Sequence, residues 1–237
     1  MNDFESGKVL LINKPLRWTS FDAVRKIRGQ IRIKKVGHAG TLDPLATGLL
    51  IICTGKFTKR INEYMAQEKE YTGTITLGAI TPTYDLESEP QDFKDISGIT
   101  PEQINEAVAR LTGPIDQVPP AHSAIKVDGK RVYELARQGK EVKLDPRRVT
   151  IYAFEVKPAG PGELDFRVVC STGTYIRSLA NDLGQMLGCG AYLSKLCRTR
   201  IGEFRVEDAI TPEEFAEQLQ VSRQKEAAEN PDQNING

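Results

Sequence analysis

Residues 149–170, with the sequence VTIYAFEVKPAGPGELDFRVVC, contain the pattern that decides the fold class. Residues 149–156 and 164–170 are rich in β-branched and aromatic side chains, which favour strands. The connection over residues 158–162 consists of turn-forming residues and is too short for the crossover that parallel strands need. The segment therefore predicts two antiparallel strands.

The other hydrophobic patterns predict more strands than helices. Tyr71, Ile75 and Leu77 alternate with threonines, as in a strand with one buried face, and residues 9–12 and 49–53 are apolar runs typical of buried strands. Helices are predicted over residues 19–32, 100–111, 174–187 and from 211. Because most connections are short, we expect a mixed α+β fold: a large, mostly antiparallel, twisted sheet with flanking helices.

The length and composition are those of a soluble globular protein. The chain has 237 residues, 39% of them hydrophobic and 27% charged. Its longest apolar run, residues 49–53, is far shorter than the roughly 20 residues that span a bilayer. The N-terminus carries acids where a secretory signal carries bases. We expect a cytoplasmic protein without membrane association, with one domain over residues 1–220 and an acidic, disordered tail over residues 221–237.

The net charge of zero hides a strong segregation of charge along the chain. Residues 207–237 carry eight acids against two bases, and residues 85–106 carry seven acids against one lysine, so each segment is at −6. The remaining segments together carry +12. The helix predicted over residues 19–32 places its bases opposite its apolar side. The chain can therefore present a basic face to nucleic acid.

Metal and disulfide chemistry have few candidate residues. The chain has two histidines and four irregularly spaced cysteines without a C-x-x-C pair, which we expect to be buried small hydrophobes: Cys53, Cys170, Cys189 and Cys197. No zinc site is predicted. A phosphate-binding P-loop is also excluded, because six residues rather than four follow Gly48 before Gly55-Lys56, and Phe57 replaces the Ser or Thr that would hold magnesium.

Residues 37–48, GHAGTLDPLATG, are the most informative segment. Three glycines and a proline predict a loop between a helix and a strand, and this loop places Asp43 beside His38. From these residues alone, a backbone clamp for RNA at residues 37–40 and a simple turn at Asp43-Pro44 both stay open.

A second candidate element is STGTYIR, residues 171–177, where a strand passes into a helix. Tyr175 and Arg177 are two residues apart, so both can point into one cleft. If Arg177 pairs with Asp43, it keeps that carboxylate ionised and lowers its pKa, as a nucleophile requires. The alternative is a surface arginine in an ordinary helical ion pair, which contributes little.

A series of motifs in fixed order connects these two elements to a known family. The motifs are KVLLINKPLRWTSFDAVRKIR, KKVGHAGTLDPLATGLLIICTGKFTK, KEYTGTITLG, VPPAHSAIKVDGKRVYELARQG, CSTGTYIRSLANDLG and LSKLCRTRIGEF. Over about residues 8–206 the chain resembles the TruB family of tRNA pseudouridine synthases. The resemblance implies the pseudouridine synthase fold.

The resemblance also implies a reaction. Asp43, in GTLDP, would attack the target uridine at C1′ of the sugar or at C6 of the base, and both sites stay open. The N1 glycosidic bond breaks, the uracil turns, and it rejoins through C5. This isomerisation needs no cofactor and no metal. The expected substrate is the uridine at position 55 in the T-loop of tRNA, bound through the T-arm by a monomer, and an additional tRNA-folding role stays open.

Other residues carry over from the family motifs one at a time. Tyr71 matches the tyrosine that stacks on the flipped base and shuttles a proton, which would make it catalytic as well as substrate-binding. Tyr175 and Arg177 match the Y-x-R element, with Arg177 as the partner of Asp43. His38 would hold the target nucleotide, and Leu196 would line the uracil pocket. Base flipping costs a few kcal/mol of unstacking, so a stacking aromatic and an apolar wall are physically needed. Read without the family, Tyr71 and Leu196 are strand core residues and His38 is structural.

Residues 121–148 carry eight bases against four acids. By resemblance this segment is an inserted thumb that folds over RNA, with a hairpin turn at Asp128-Gly129 and a short helix ending near Gly139. The expected phosphate contacts are Lys126, Lys130, Arg131 and Arg137. Without the family, a charge run of this kind is a solvated face.

The chain departs from the commoner family pattern after Phe204. About 30 residues with a net negative charge remain there, too few for the small C-terminal RNA-binding domain of the PUA type that many relatives carry. The chain thus resembles a short bacterial form. Two other functions stay open: an RNA-binding module that has lost catalysis, and a hydrolase or phosphotransferase that uses Asp43 with magnesium.

Overall fold

The computed structural model describes residues 3–121, 126–127, 130–131 and 144–229. The helices are α1 (Asp3–Ser6), α2 (Ser20–Ile31), α3 (Ile61–Ala66), α4 (Pro101–Arg110), α5 (Ile176–Met186) and α6 (Pro212–Glu229), with short 3-10 helices at Gly55–Arg60 and Val206–Asp208. The strands are β1 (Val9–Lys14), β2 (Val36–Ala39), β3 (Ala46–Thr54), β4 (Lys69–Leu77), β5 (Gly113–Gln117), β6 (Lys126–Val127), β7 (Lys130–Arg131), β8 (Arg147–Gly160), β9 (Glu163–Cys170), β10 (Ala191–Ile201) and β11 (Phe204–Arg205).

The chain groups into two compact units, residues 1–65 with 203–237 and residues 66–202. Neither boundary coincides with the one predicted at residue 220. Helix α6 passes through that position and continues to Glu229, and residues 230–237 lie outside the described part. Among the described residues, no helix is both long and apolar enough to cross a membrane.

The first unit is built on β3, which pairs antiparallel with β1 and with β2. Strand β3 is almost entirely buried. Helix α2 begins at the capping box that the sequence predicts, with Thr19 accepting from the backbone of Asp22 and Asp22 accepting in return. Its apolar side, including Ile27 and Ile31, packs with Ile12 of β1 and with other buried side chains in the core of this unit.

The loop predicted over residues 37–48 is shorter than expected. Strand β2 already contains Gly37, and β3 begins at Ala46, so only residues 40–45 connect them. Gly37 serves close packing, since a Cβ there would lie 2.7 Å from Ile61, whereas Gly40 and Gly48 have φ values of 85° and 101° that favour glycine. Because residues 37–39 form a paired strand, the RNA-clamp interpretation of residues 37–40 is wrong.

The second unit contains five strands in the order β10-β4-β9-β8-β5, all antiparallel. Strands β8 and β9 are the pair predicted from residues 149–170. Helix α5 packs on β10 and α4 packs on β8. The mixed α+β class with mostly antiparallel strands is thus confirmed in each unit. Strands β6 and β7 also pair, as the predicted hairpin requires.

Candidate active site

The loop that carries Asp43 is fixed by the first residue of α2. The Ser20 hydroxyl accepts a hydrogen bond from the Leu42 backbone N–H at 2.8 Å and lies 3.2 Å from the Leu42 carbonyl oxygen, to which it donates. Ser20 is only 3% exposed. One buried hydroxyl therefore satisfies both backbone groups of the residue that precedes Asp43, and it holds them against a rigid helix.

A buried lysine fixes the other side of the same loop. Lys14, at the end of β1, is fully buried, and its Nζ donates to the carbonyl oxygens of Pro15 at 2.9 Å and Trp18 at 2.5 Å. It also lies 3.5 Å from the Pro44 carbonyl oxygen, which accepts from the Arg17 backbone N–H at 2.7 Å. A buried charge is tolerated only when polar groups surround it, and here backbone carbonyls supply them. The backbone on both sides of Asp43 is therefore anchored.

The Asp43 side chain is half-buried, and its own carbonyl oxygen accepts from Ala46 N–H at 3.0 Å, which closes a turn. The turn expected at Asp43-Pro44 is thus present. His38 lies on β2, opposite Ile52 of β3, and is also half-buried. It is therefore a strand residue rather than the loop residue that the sequence predicts.

Tyr71 and Leu196 lie on one face of the sheet in the second unit. Tyr71 of β4 is opposite Arg198 of β10, and Gly73 is opposite Leu196, so Tyr71 and Leu196 are diagonal neighbours. Gly73 has no side chain between them, because an irregularity in β10 brings the Lys195 carbonyl oxygen to 2.0 Å from where a Cβ would be. Glycine is thus required for this close approach of the β10 backbone, with Tyr71 and the half-buried Leu196 on either side of it.

Two buried cations share this face with Tyr71. Lys69 and Arg198 are both almost fully buried. Burial and, to a smaller extent, the positive charge of Arg198 lower the pKa of Lys69 to about 8. The sequence interpretation missed both residues, because an alternating strand pattern does not indicate a lysine and an arginine on the buried side.

Arg177 is buried at the start of α5, with an exposed fraction of 4%. Its Nη1 donates to the Thr83 carbonyl oxygen at 3.1 Å, and its Nε lies 3.7 Å from the Asp85 carboxylate. The interpretation as a surface arginine is therefore wrong. Asp43 belongs to the other unit, so its pairing with Arg177 stays a prediction.

Asp85 is an acidic residue of this site that the sequence interpretation missed. Its side chain is buried, and its Oδ1 accepts from the Glu87 backbone N–H at 3.0 Å. In the sequence it is one acid of the strongly negative segment over residues 85–106, which resembles a solvated stretch. Nothing local marks it as buried.

Tyr175 precedes α5 and exchanges two hydrogen bonds with Gln117 at the end of β5. Its backbone N–H donates to the Gln117 side-chain oxygen at 2.8 Å, and the Gln117 amide donates to its carbonyl oxygen at 3.1 Å. Ser178 also donates to the Val118 carbonyl oxygen at 2.8 Å. The Y-x-R element is thus attached to the strand from which the predicted thumb departs.

Of the predicted phosphate contacts, Lys126, Lys130 and Arg131 lie on the paired strands β6 and β7, where only the backbone is described. Arg137 lies outside the described residues, as does the predicted helix ending near Gly139. Cys53, Cys170 and Cys189 are buried, as expected, and Cys197 is half-buried. Within the described ranges, no group of three or more His, Cys, Asp or Glu side chains could hold a metal ion.

Comparison with known proteins identifies the family. Residues 28–176 match the family described as TruB family pseudouridylate synthase (N terminal domain), and residues 177–236 match tRNA pseudouridylate synthase B C-terminal domain. The chain belongs to the TruB family of pseudouridine synthases. The fold class and the enzyme class expected from the motifs, an isomerase that forms pseudouridine, are thereby confirmed.

Several relatives show how far the similarity extends. The tRNA pseudouridine synthase B of Flavobacterium johnsoniae is 51% identical over 225 residues, covering 92% of this TruB chain and 98% of the relative. That of Chloroherpeton thalassium is 46% identical, with 90% of each chain covered. A crystal structure of a Cbf5-Nop10-Gar1 complex is similar with a TM-score of 0.74 and 28% identity, covering 94% of this chain and 57% of that one. The TruB chain thus spans little more than half the length of that structural relative.

Proposed function

We propose that this TruB protein converts uridine 55 in the T-loop of tRNA to pseudouridine, with Asp43 as the nucleophile. The observation that carries the proposal is the anchored Asp43 loop. Ser20 and Lys14 hold the backbone on both sides of one half-buried carboxylate. A nucleophile must be placed within a fraction of an ångström of its target, and such anchoring provides that placement. The relatives named tRNA pseudouridine synthase B support the choice of substrate.

In the proposed reaction, the Asp43 carboxylate forms a bond to C1′ or to C6 of the uridine while the bond from C1′ to N1 breaks. The detached uracil turns, and C5 bonds to C1′. C5 then loses its proton while N1 gains one, so the proton count is unchanged, and the carboxylate is released unchanged. No electrons are gained or lost overall, so the residues need only position the base and stabilise charge.

The roles of the remaining residues follow from their surroundings. The flipped uracil stacks on Tyr71, with Leu196 as the apolar wall. Arg177 keeps Asp43 ionised, and Asp85 holds Arg177 in place. His38 holds the nucleotide outside its loop, and Tyr175 positions the start of α5.

The proposal also covers RNA binding by the thumb, the oligomeric state, the location in the cell and a role in tRNA folding. The thumb over residues 121–148 binds RNA phosphates through its bases, the protein acts as a monomer, and it works in the cytoplasm, where tRNA is processed. We also retain a role in tRNA folding as part of this proposal, since flipping a T-loop base requires that the RNA be opened locally.

The decisive experiment is incubation of purified protein with unmodified tRNA in a chelating buffer, followed by mapping of pseudouridine at single-nucleotide resolution. Wild-type protein should modify position 55 without added metal. Asp43→Asn should lower the single-turnover rate by at least about 1000-fold while tRNA affinity stays within about twofold, because the change preserves shape and removes the nucleophile. Modification at another position, or a variant rate above a tenth of wild type, would contradict the assignment.

A further inference from the structure

Helix α2 and its C-cap residue, Arg32, carry a stripe of exposed arginines. Arg25, Arg28 and Arg32 follow one another at intervals of three and four residues, and all three are exposed. We refer to these residues as the arginine stripe. Arg25 pairs with Asp22 at 2.9 Å, whereas the side chains of Arg28 and Arg32 have no acidic partner among the described residues. Residues 17–35 hold seven bases against one acid, in a chain whose net charge is zero.

Gly29 lies within the arginine stripe and is exposed. Glycine is the least favourable residue in a helix interior after proline, so a glycine there needs a reason. Packing within the folded chain does not require a glycine here, because a Cβ on Gly29 would have no other atom within 4 Å among the described residues. Gly29 also lines two adjoining surface clefts of about 560 and 440 Å³. The missing side chain therefore leaves room for something outside the chain.

We propose that the arginine stripe and Gly29 form a binding surface for the phosphodiester backbone of the substrate RNA. Arginine forks match phosphate geometry, and a glycine lets a ribose or phosphate approach the helix backbone closely. The inference rests on the proposed function, because it takes the RNA that Asp43 modifies as the ligand.

The position of the stripe supports the same ligand. Ser20, which holds the Asp43 loop, is the first residue of α2. At a rise of about 1.5 Å per residue, the stripe extends from roughly 8 to 18 Å along the helix axis from Ser20. An RNA with its target base at Asp43 has its backbone within that distance. The stripe is thus a second contact, separate from the predicted thumb.

A membrane surface is a poorer fit to the same charges. A helix that binds in the plane of a bilayer inserts an apolar face between the lipids. The apolar side of α2, with Val24, Ile27 and Ile31, is instead buried in the core of its own unit. Apart from Phe21, which is 58% exposed, α2 offers mainly charge to solvent, which suits a hydrated polyanion.

The first test is Gly29→Ala, which should change stability and RNA affinity in opposite directions. The added methyl favours the helix and should raise Tm by about 2–4 °C. It also fills the approach to the backbone and should weaken tRNA binding by at least about fivefold. The matched control is Asn105→Ala, an exposed helix substitution in α4, which should raise Tm and leave tRNA affinity unchanged. Wild-type affinity in Gly29→Ala would overturn the proposal.

The second test is the pair Arg28→Glu and Arg32→Glu, with the pair Lys157→Glu and Arg205→Glu as a control that makes the same charge change at two other exposed bases. Filter binding of tRNA from 50 to 300 mM salt should show a log-log slope reduced by about 1 to 2 in the double variant, because each lost phosphate contact removes close to one unit. An equal reduction of the slope in the control would overturn the proposed RNA surface, since the change in net charge alone would then explain the weaker salt dependence.

Two further outcomes keep the inference separate from the proposed function. If wild-type protein forms no pseudouridine but the double variant still loses tRNA affinity, the proposed reaction fails and the RNA surface stands. If pseudouridine forms normally and the variants change only binding to phosphatidylserine vesicles, the RNA surface is overturned in favour of a membrane contact.

Discussion

Removal of the Ser20 hydroxyl should slow catalysis, although Ser20 has no substrate contact in the proposed reaction. In Ser20→Ala, the Leu42 backbone N–H loses its acceptor at 2.8 Å in a site that is otherwise buried. A buried donor left unsatisfied costs about 1–3 kcal/mol, and the loop can avoid that cost only by moving. A shift of about 1 Å at a reacting group lowers the rate by about 100-fold, so we expect kcat to fall between about 10-fold and 100-fold. KM for tRNA should change by less than about twofold.

The matched control for this change is Thr19→Ala at the preceding residue. Loss of the N-cap costs about 0.5–2 kcal/mol and destabilises the same end of α2, but it leaves the Ser20 contact to Leu42 intact. Steady-state kinetics on tRNA and urea unfolding are measured for both variants. Ser20 is a positioning residue if only Ser20→Ala lowers kcat. Equal losses of kcat in the two variants, or wild-type kcat in Ser20→Ala, would refute this reasoning.

Three further predictions concern buried charges of the second unit. Arg177→Lys preserves the charge, but a lysine has no planar fork with which to contact both Thr83 and Asp85. The single-turnover rate should therefore drop at least about 10-fold. A wild-type rate would show that Arg177 has a purely structural role. Asp85→Asn removes the negative charge beside buried Arg177 and should lower the free energy of unfolding by about 3 kcal/mol. Urea unfolding measures this loss, and an unchanged free energy would contradict the prediction. Burial raises the pKa of Asp182 to about 6, so folding favours the protonated carboxyl group. The protonated group therefore adds to the free energy of unfolding below about pH 4, and this contribution is lost as the pH rises through about 6. Asp182→Asn should remove that part of the pH dependence of Tm, and an unchanged profile between pH 4 and 8 would count against it.

The parts of the fold that depend on short-range patterns follow from the sequence. Strands β8 and β9 were predictable because their side chains and the connecting turn agree with each other, and α2 was predictable from the Thr19 and Asp22 capping pair. In both cases the deciding residues lie within one element or one turn. Local propensity and tertiary structure then favour the same conformation.

The parts that depend on distant contacts did not follow. Gly37 is typical of a loop by composition, yet it is in a strand because it pairs with Cys53 of β3. Lys14 and Asp85 are charged, and charged residues are expected at the surface. Both are buried, because polar groups from other parts of the chain surround them. The candidate nucleophile could be identified from its motif. The residues that hold it could not, since their role exists only in three dimensions.

The strand pairing at the base of the predicted thumb has a practical consequence. Gln117, the last residue of β5, is directly opposite Arg147, the first residue of β8. The intervening segment therefore leaves and re-enters the sheet at one rung, like the loop of a hairpin. A segment attached in this way is exchangeable: a tight turn, or the corresponding stretch of a relative with another RNA preference, can be grafted between the two residues without shifting the strand register. The same scaffold could thereby be given new substrates.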